Sequence, residues 1–295
     1  MTTTPGTGPR LEVQLADCLV ELACDPGLAD VHARLAELFE ASVTTTAAAR
    51  RVRVEVGLED SGTVAVSAPG WFSGGLPRHR VVDQVLASVN AGVLLDSTLL
   101  TLHAGVVRSV GGALVWPAAS GAGKSTLVAA CLRRGYPLVS DEALCLDPGT
   151  HRAVPYPKPV SLHPRALALL GLDGDTSDTT DLGPAPVADE DVDVTLSATE
   201  LGSSGCVEDL PVRAVLLISR AATASLAPVS TDQAVAALLR HSFNHWRMPA
   251  EAVASVHAVV SAAATYRLSY DDPRRAAQLL VDALPPPAAD STRLR

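Results

Sequence analysis

Residues 115–127 read VWPAASGAGKSTL, and this stretch decides the fold of the 295-residue chain. An apolar run that ends at Trp116 is typical of a strand, a glycine-rich turn follows it, and residues 125–132 are compatible with a helix. Gly121 and Gly123 allow the backbone to approach an anion, and the N–H groups at the start of the helix supply partial positive charge. The stretch therefore predicts an α/β fold with a phosphate-binding loop (P-loop).

The pattern assigns roles to the residues of this loop. Lys124 is expected to lie over the outer phosphates of ATP, and the hydroxyl of Ser125 is expected to bind Mg²⁺, a hard cation that prefers oxygen ligands. Ala118 stands where the pattern G-x-x-x-x-G-K-[ST] has its first glycine, and alanine fits there if φ stays negative. The residues expected to bind the nucleotide are Ser120, Gly121, Ala122, Gly123, Lys124, Ser125 and Thr126. A glycine-rich turn with an incidental lysine is the alternative.

A second motif follows at residues 136–142, YPLVSDE, where an apolar strand ends in Asp141 and Glu142. The intervening helix has room only to cross back to a neighbouring strand. Open α/β sheets bind ligands at the carboxyl ends of their strands. Asp141 is therefore predicted to accept the proton of an attacking hydroxyl, and Glu142 to hold Mg²⁺ directly or through water. Two solvated acids in a turn are the alternative.

Upstream of the loop, residues 100–108 and 112–116 have the pattern of a hairpin with a tight turn at the glycine pair 111–112. This hairpin is expected to place His103 opposite Ser120, at the mouth of the loop. A neutral imidazole there would assist proton transfer, and a charged one would stabilise the transferring phosphoryl group. A purely structural strand histidine is the alternative.

The order of three segments resembles the catalytic domain of the HPr kinase/phosphorylase family, and more closely the wider set of HPr-kinase-related proteins. The segments are residues 102–104 (LHA), 120–126 (SGAGKST) and 134–142 (RGYPLVSDE). The resemblance implies a fold related to phosphoenolpyruvate carboxykinase, with the P-loop on a mixed sheet. It also implies roles for five residues. These are Asp141 as catalytic base, His103 as its polar neighbour, and Lys124, Ser125 and Glu142 as ligands of the phosphates and Mg²⁺.

The chain departs from the HPr kinase pattern in several places. The strong match covers residues 100–146, and within it Ala104 replaces a glycine, Glu142 replaces the second aspartate, and Thr126 replaces an acidic residue. A Glu-Ile-Arg-Gly-type signature after the acidic pair is missing. Residues 154–162 (VPYPKPVSL) instead resemble the related kinases. These departures point away from HPr as the substrate.

Composition excludes several classes of protein. The net charge of −9 argues against nucleic-acid or anionic-membrane binding, which relies on basic patches. No apolar run approaches the roughly 18 residues that span a bilayer, and the start of the chain lacks a signal peptide, so a cytoplasmic protein is expected. The five cysteines lack C-x-x-C spacing, which suggests neither a zinc site nor a disulfide framework.

We expect two folded units between two disordered tails. Residues 1–10 and 285–295 are the tails, residues 11–97 form a smaller N-terminal α+β region, and residues 98–284 form the P-loop kinase domain. The N-terminal region is expected to contain a helix near residues 30–42 capped by Asp30, strands at 52–56 and 63–66, and a helix at 81–95. In the second unit, the later predicted elements are a strand at 212–219, helices at 231–241 and 250–263, a strand at 265–270 and a helix at 273–284.

Three further features remain open at this stage. Residues 173–193 are rich in acids and read as a solvated loop, or alternatively as a lid or a docking surface for a basic peptide. Lys158, Arg220 and Arg247 are the basic residues expected to reach the phosphates, with solvated surface charges as the alternative. Residues 242–244 match a Ser-Phe-Asn segment of the related kinases, to which the sequence assigns no role.

Together these features predict an ATP- and Mg²⁺-dependent kinase that phosphorylates a hydroxyl group on a protein, a peptide or a small molecule. One alternative is a nucleotide-binding regulator or ATPase with no acceptor. Another is a peptide-tailoring kinase of a ribosomal natural-product pathway, as some HPr-kinase-related proteins are. The sequence leaves the acceptor and the oligomeric state open, a homo-oligomer included.

Overall fold

A computed structural model describes residues 8–42, 50–172 and 193–288. Its N-terminal part contains a five-stranded sheet in the order β1-β2-β3-β4-β5, with β2 and β3 parallel and the other neighbours antiparallel. Two helices pack on this sheet. The elements are β1 (Arg10–Leu15), β2 (Cys18–Cys24), α1 (Ala29–Leu38), β3 (Arg50–Leu58), β4 (Val64–Ala68), β5 (Trp71–Leu76) and α2 (Val81–Leu94).

Several predictions for this region are confirmed and others are wrong. The strands expected at 52–56 and 63–66 and the helix expected at 81–95 correspond to β3, β4 and α2, whereas β1, β2 and β5 were not predicted. Asp30 is not a helix cap, because a short 3₁₀ turn capped by Asp25 leads directly into α1. Asp30 lies in the first turn and accepts a hydrogen bond from Arg78 at 2.6 Å. Arg10, assigned to the disordered tail, already belongs to β1.

A mixed sheet of eight strands forms the second part. Its elements are β6 (Leu100–Ser109), β7 (Gly112–Pro117), β8 (Leu138–Ser140), β9 (Ala143–Leu146), β10 (Ala153–Val154), β13 (Val212–Arg220), β14 (Ser225–Pro228) and β15 (Ala264–Tyr270). The order is β10-β9-β6-β7-β13-β15-β14, and β8 also pairs with β6. Strands β7, β13 and β15 are parallel, while β6 is antiparallel to β7, β8 and β9. The chain is therefore α/β with a mixed sheet.

Helices cover both faces of this sheet. They are α3 (Lys124–Leu132), α4 (Pro164–Leu170), α5 (Thr231–Arg240), α6 (Pro249–Ala262) and α7 (Pro273–Ala283). Side chains alternate across β13, so Leu216 joins the apolar core around α3 and α7, and Val215 joins the core around α5 and α6. The helices predicted at 231–241, 250–263 and 273–284 are confirmed. A small two-stranded sheet, β11 (Val160–Leu162) with β12 (Val194–Leu196), lies beside α3.

The hairpin of β6 and β7 has a different register from the predicted one. Its turn is formed by Val110 and Gly111, and the φ of Gly111 is +83°. Ser109 therefore pairs with Gly112, and Ala104 pairs with Pro117. The predicted turn would have placed Ala104 opposite Ala119 instead. Because the difference is two residues, every side chain still points to the predicted face of the sheet.

The acidic pair follows the carboxyl end of β8, as predicted, but β8 is not a direct neighbour of β7. Strand β8 is separated from β7 by β6, so the helix α3 crosses over one strand and does not return to a direct neighbour. The chain continues after Asp141 and Glu142 as β9, which also pairs with β6. Since β7 and β8 are both antiparallel to β6, their carboxyl ends meet at one edge of the sheet. This topology brings the acids to the turn that follows β7.

The N-terminal sheet and the mixed sheet share a core. Ala143 and Cys145 of β9 and the fully buried Tyr156 belong to the same apolar cluster as β1 to β4 and α2. In the described ranges no helix is long and apolar enough to cross a membrane. The acidic segment 173–193 lies outside the described residues except for Asp193, as do residues 1–7 and 289–295 of the expected tails.

Candidate functional site

The glycine loop, residues 118–123, joins β7 to α3. Gly121 and Gly123 have φ values of +76° and +94°, in the left-handed region that glycine occupies most easily. Gly123 is the residue at the N-cap of α3. Ala118 does not have a positive φ, which is the condition under which alanine replaces glycine there. The two glycines thus form a tight turn between β7 and α3.

Lys124 is the first residue of α3 and only 6% exposed. Its side chain folds back over the glycine loop, and Nζ donates a hydrogen bond of 3.0 Å to the carbonyl oxygen of Ala119. Burial lowers the pKa of Lys124, although Asp141 and Glu142 act in the opposite direction. The loop therefore holds a partly dehydrated ammonium group close to the acidic pair.

Asp141 is 5% exposed, and its Oδ1 atom is buried without a hydrogen-bond partner among the described residues. Burial raises the pKa of Asp141 to about 6. Lys158 opposes this shift and Glu142 adds to it, while Ser125 and Lys124 favour the ionised form. A buried carboxylate oxygen that lacks a donor is an unusual and costly feature, and such features are concentrated at functional sites.

Glu142 has the opposite character from its neighbour. Its Oε1 lies 3.3 Å from Nδ1 of His103, and its Oε2 lies 3.3 Å from Nδ2 of Asn90 and 3.7 Å from Nζ of Lys158. Burial opposes the ionisation of Glu142, but the contacts with His103 and Lys158 outweigh it and lower the pKa. Two adjacent carboxyl groups whose pKa values are pushed apart suit one proton-accepting role and one charged role.

His103 lies on β6, where it pairs with Ala143 immediately after the acidic pair. Its Nδ1 contacts two oxygens of Glu142, the backbone carbonyl at 2.9 Å and the carboxylate at 3.3 Å. Nδ1 therefore carries hydrogen, and in a neutral ring Nε2 is left as the acceptor. The ring also packs against Phe243, with centroids 5.2 Å apart. Although the register differs from the predicted one, His103 and Ser120 line the same cleft.

The three basic residues expected to reach the phosphates lie in different places. Lys158, 3% exposed, places Nζ 4.0 Å from Oδ2 of Asp141 and 3.7 Å from Oε2 of Glu142. Arg220 lies at the end of β13, on the other side of the glycine loop. Arg247 binds the carbonyl of Leu95 and the carboxylate of Asp96 and lines neither cleft described below. The prediction for Arg247 is therefore wrong, because a local ion pair at the end of α2 holds it.

The first cleft, with a volume of about 820 Å³, contains Asp141, Glu142, His103, Lys158 and every predicted nucleotide-binding residue except Ala122. Its far wall comes from one face of α2 and from the segment around α4. The residues of this face, spaced by about one helical turn, are Arg80 just before the helix and Asp83, Leu86, Ala87 and Asn90 within it. Sequence reasoning missed this wall because a polar stripe on an amphipathic helix is also typical of a solvated face.

A second cleft of about 630 Å³ lies on the opposite side of the glycine loop. Gly123 and Thr126 line both clefts, and Ala122 lines only the second. Leu217, Ile218 and Tyr270, from the carboxyl ends of β13 and β15, give this cleft an apolar floor. The loop therefore runs between a charged cleft and a more apolar one.

The donor atoms of the first cleft fit Mg²⁺. Ser125, Asp141 and Glu142 offer only oxygens, and Mg²⁺ is commonly held by one or two carboxylates, water and substrate phosphates. Among the residues that the structure describes, no cluster of three or more His, Cys, Asp or Glu side chains is arranged to hold a metal by itself. The five cysteines are free and buried. A cation at this site would therefore need ligands from a bound phosphate compound.

Asn244, in the segment 242–244, is fully buried and has a structural role. Its Oδ1 accepts a hydrogen bond from the backbone N–H of Thr101, and its Nδ2 donates one to the carbonyl of Leu99. His103 in turn donates its backbone N–H to the carbonyl of His241. The segment thus fastens the first residues of β6, including His103, in place.

No protein-family model matches the chain, and a search of curated proteins finds no similar sequence.

Proposed function

We propose that the protein is an ATP- and Mg²⁺-dependent kinase that transfers the γ-phosphoryl group to a hydroxyl group. The observation that carries this proposal is Asp141, a buried carboxylate with an unpartnered oxygen and a pKa raised to about 6, beside a glycine loop of phosphate-binding shape. A general base is most effective when its pKa lies near the working pH. A nucleotide-binding regulator needs no such base, so this feature favours a transferase.

The two clefts suggest how ATP would bind. The backbone N–H groups of the glycine loop and the start of α3 would hold the phosphates, with Lys124 against the outer ones. The acidic pair lies in the first cleft, so the γ-phosphate belongs there. The nucleoside would then occupy the second cleft, where Leu217, Ile218 and Tyr270 offer apolar contacts to the base.

The acceptor hydroxyl would bind in the first cleft with its hydrogen directed at Oδ1 of Asp141. As the acceptor oxygen forms its bond to the γ-phosphorus, the bond to the bridging oxygen of ADP breaks, and the proton moves to Asp141. Lys124 and Lys158 would hold positive charge near the transferring group. Ser125 and Glu142 would hold Mg²⁺, which neutralises phosphate charge when bound. His103 would keep Glu142 oriented through Nδ1.

The resemblance to HPr-kinase-related proteins agrees with this proposal. A glycine loop that leaves β7 between the antiparallel β6 and the parallel β13 is the mixed-sheet arrangement expected of a fold related to phosphoenolpyruvate carboxykinase. We include that fold relationship in the proposal. The acceptor is a protein, a peptide or a small molecule, and a peptide-tailoring kinase remains one alternative within this class. In this proposal the acceptor would lie against the cleft wall formed by α2 and α4.

The test follows the label of γ-³²P-ATP in extracts supplied with the purified protein. The proposal predicts label in an organic acceptor, present with the wild type and absent with Lys124→Ala and Asp141→Asn. Label recovered only as inorganic phosphate would indicate an ATPase. Nucleotide binding without any release of label would indicate a regulator.

A further inference from the structure

Helix α2 of the N-terminal region reaches into the acidic site through one side chain, Asn90. Its Nδ2 lies 3.3 Å from Oε2 of Glu142, and its Oδ1 lies 2.5 Å from the hydroxyl of Tyr156. Tyr156 is fully buried in the core that the N-terminal sheet shares with β9. A continuous chain of polar contacts therefore links this core to the carboxylate of Glu142.

The polarity of this chain is fixed by the tyrosine. Burial raises the pKa of Tyr156 well above its ordinary value, and the negative charge of Glu142 adds to the shift. The phenol therefore stays protonated and donates its hydrogen to an oxygen. Because the tyrosine takes Oδ1 of Asn90, the NH₂ group of the same amide faces the carboxylate. This orientation is the only one in which both contacts are hydrogen bonds.

We propose that Asn90, oriented by Tyr156, is a positioning residue that holds Glu142 in the direction required to bind a divalent cation beside the glycine loop. This inference rests on the proposed function. It makes the N-terminal region a part of the active site, because neither Asn90 nor the core around Tyr156 exists without that region. Residues that hold a metal ligand through a hydrogen bond commonly change metal affinity by about 10–100-fold when removed.

The role of Asn90 differs from that of the other contacts of Glu142. His103 and Lys158 also contact the carboxylate, and besides any orienting effect both contacts lower the pKa of Glu142. Asn90 is neutral, so its removal leaves the charges of the site unchanged. Its effect should consequently appear in the affinity for the cation much more than in the affinity for the phosphates.

The experiment measures binding of Mn²⁺ by electron paramagnetic resonance in the presence of the non-hydrolysable ATP analogue AMP-PNP, without any turnover. Asn90→Leu removes the amide at similar volume, and Tyr156→Phe removes only the hydroxyl that orients it. Gln84→Leu makes the same kind of change on the same helix, outside the first cleft. Glu142→Gln provides the reference for loss of the carboxylate.

We expect Asn90→Leu to weaken Mn²⁺ binding by roughly tenfold or more, Tyr156→Phe to weaken it by a smaller factor, and Gln84→Leu to leave it unchanged. Equal Mn²⁺ affinity in Asn90→Leu and Gln84→Leu would overturn the inference. If Asn90→Leu does not fold, Tyr156→Phe decides in the same way against the wild type. Thermal unfolding of each variant shows whether the fold is retained.

Failure of the proposed function has a different signature. If the wild type binds the analogue without any dependence on the cation, or if Lys124→Ala binds it as tightly as the wild type, the proposed function is wrong. A second outcome is that the wild type requires the cation and Glu142→Gln no longer binds Mn²⁺, but Asn90→Leu binds Mn²⁺ as tightly as the wild type. In that case only the inference about Asn90 is wrong.

Discussion

The ammonium nitrogen of Lys158 lies 4.0 Å from Oδ2 of Asp141, and both side chains are almost completely buried. Asp141 directly follows β8, whereas Lys158 comes from the segment between β10 and β11. The distance is at the limit of an ion pair, so the lysine relieves only part of the cost of burying the carboxylate. The pKa of Asp141 therefore lies near 6, which suits the general-base role that we propose for it.

This relationship predicts the effect of Lys158→Met. Removal of the ammonium takes away a group that lowers the pKa of Asp141, so that pKa should rise further above 6. Because a general base at Asp141, as proposed, would act only when ionised, the acid limb of the pH–rate profile should move to higher pH. ADP formation with water as acceptor, measured from pH 5 to 9, tests the shift. Arg247→Met removes a cation outside both clefts and should leave the profile unchanged, and an unshifted limb in Lys158→Met would contradict the assignment.

Asp141→Asn separates binding from chemistry. The amide keeps the shape of the side chain and cannot accept the proton, so the rate should fall by about 10²–10⁴-fold while MgATP still binds. The acid limb near pH 6 should disappear from the remaining activity. Steady-state kinetics combined with calorimetric titration of MgATP checks both outcomes. A variant with full activity would show that the base is another residue, and His103 would be the first to test.

Asp141→Asn, which should lower the rate, should also change how the stability of the protein depends on pH. The pKa of Asp141 is raised from 3.8 to about 6 in the folded protein, so the folded state binds this proton more tightly than the unfolded chain. The free energy of unfolding of the wild type, relative to that of Asp141→Asn, should therefore decrease as the pH rises from about 4 to about 6. Above about pH 6 the difference between the two proteins should stay constant. Urea unfolding of both proteins across this range measures it. Parallel curves would contradict the raised pKa.

The second cleft predicts a separation between nucleoside and phosphate affinity. Ile218→Ala removes apolar surface from its floor, and loss of about 1–2 kcal/mol of apolar contact corresponds to roughly tenfold weaker ATP binding. Tripolyphosphate, which has no nucleoside, should bind both proteins equally. Calorimetric titration with the two ligands provides the comparison. An equal loss for both would place Ile218 in the support of the phosphate loop, whereas no loss for either would remove the nucleoside from this cleft.

Local chemistry made the glycine loop and α3 predictable. The φ values of Gly121 and Gly123 follow from a short pattern in which strand, turn and helix are consecutive. The long helices α2, α5, α6 and α7 were predicted for the same reason. β2 was not predicted because most of its residues are buried. Its sequence therefore lacks the alternation of apolar and polar residues that marks a strand with one exposed face.

Contacts between distant segments were not predictable from a single sequence. Asn90 lies on α2, far along the chain from Glu142 before β9 and Tyr156 after β10, and the packing of the N-terminal sheet against β9 brings it to them. The position of Lys158 beside the acids depends on the same packing. The predicted register of β6 and β7 was wrong for a more local reason. Two adjacent glycines allow the turn to form at either of two positions.

The most direct test of the account is calorimetric titration of MgATP into the wild type and Lys124→Ala, with unfolding curves for both. Nζ of Lys124 lies over the glycine loop, bonded to Ala119, where phosphates would replace that carbonyl as its partner. The account predicts saturable binding to the wild type and at least about tenfold weaker binding to a stably folded Lys124→Ala. Equal affinity in the two proteins, or no binding to the wild type, would contradict the central claim that this loop binds ATP.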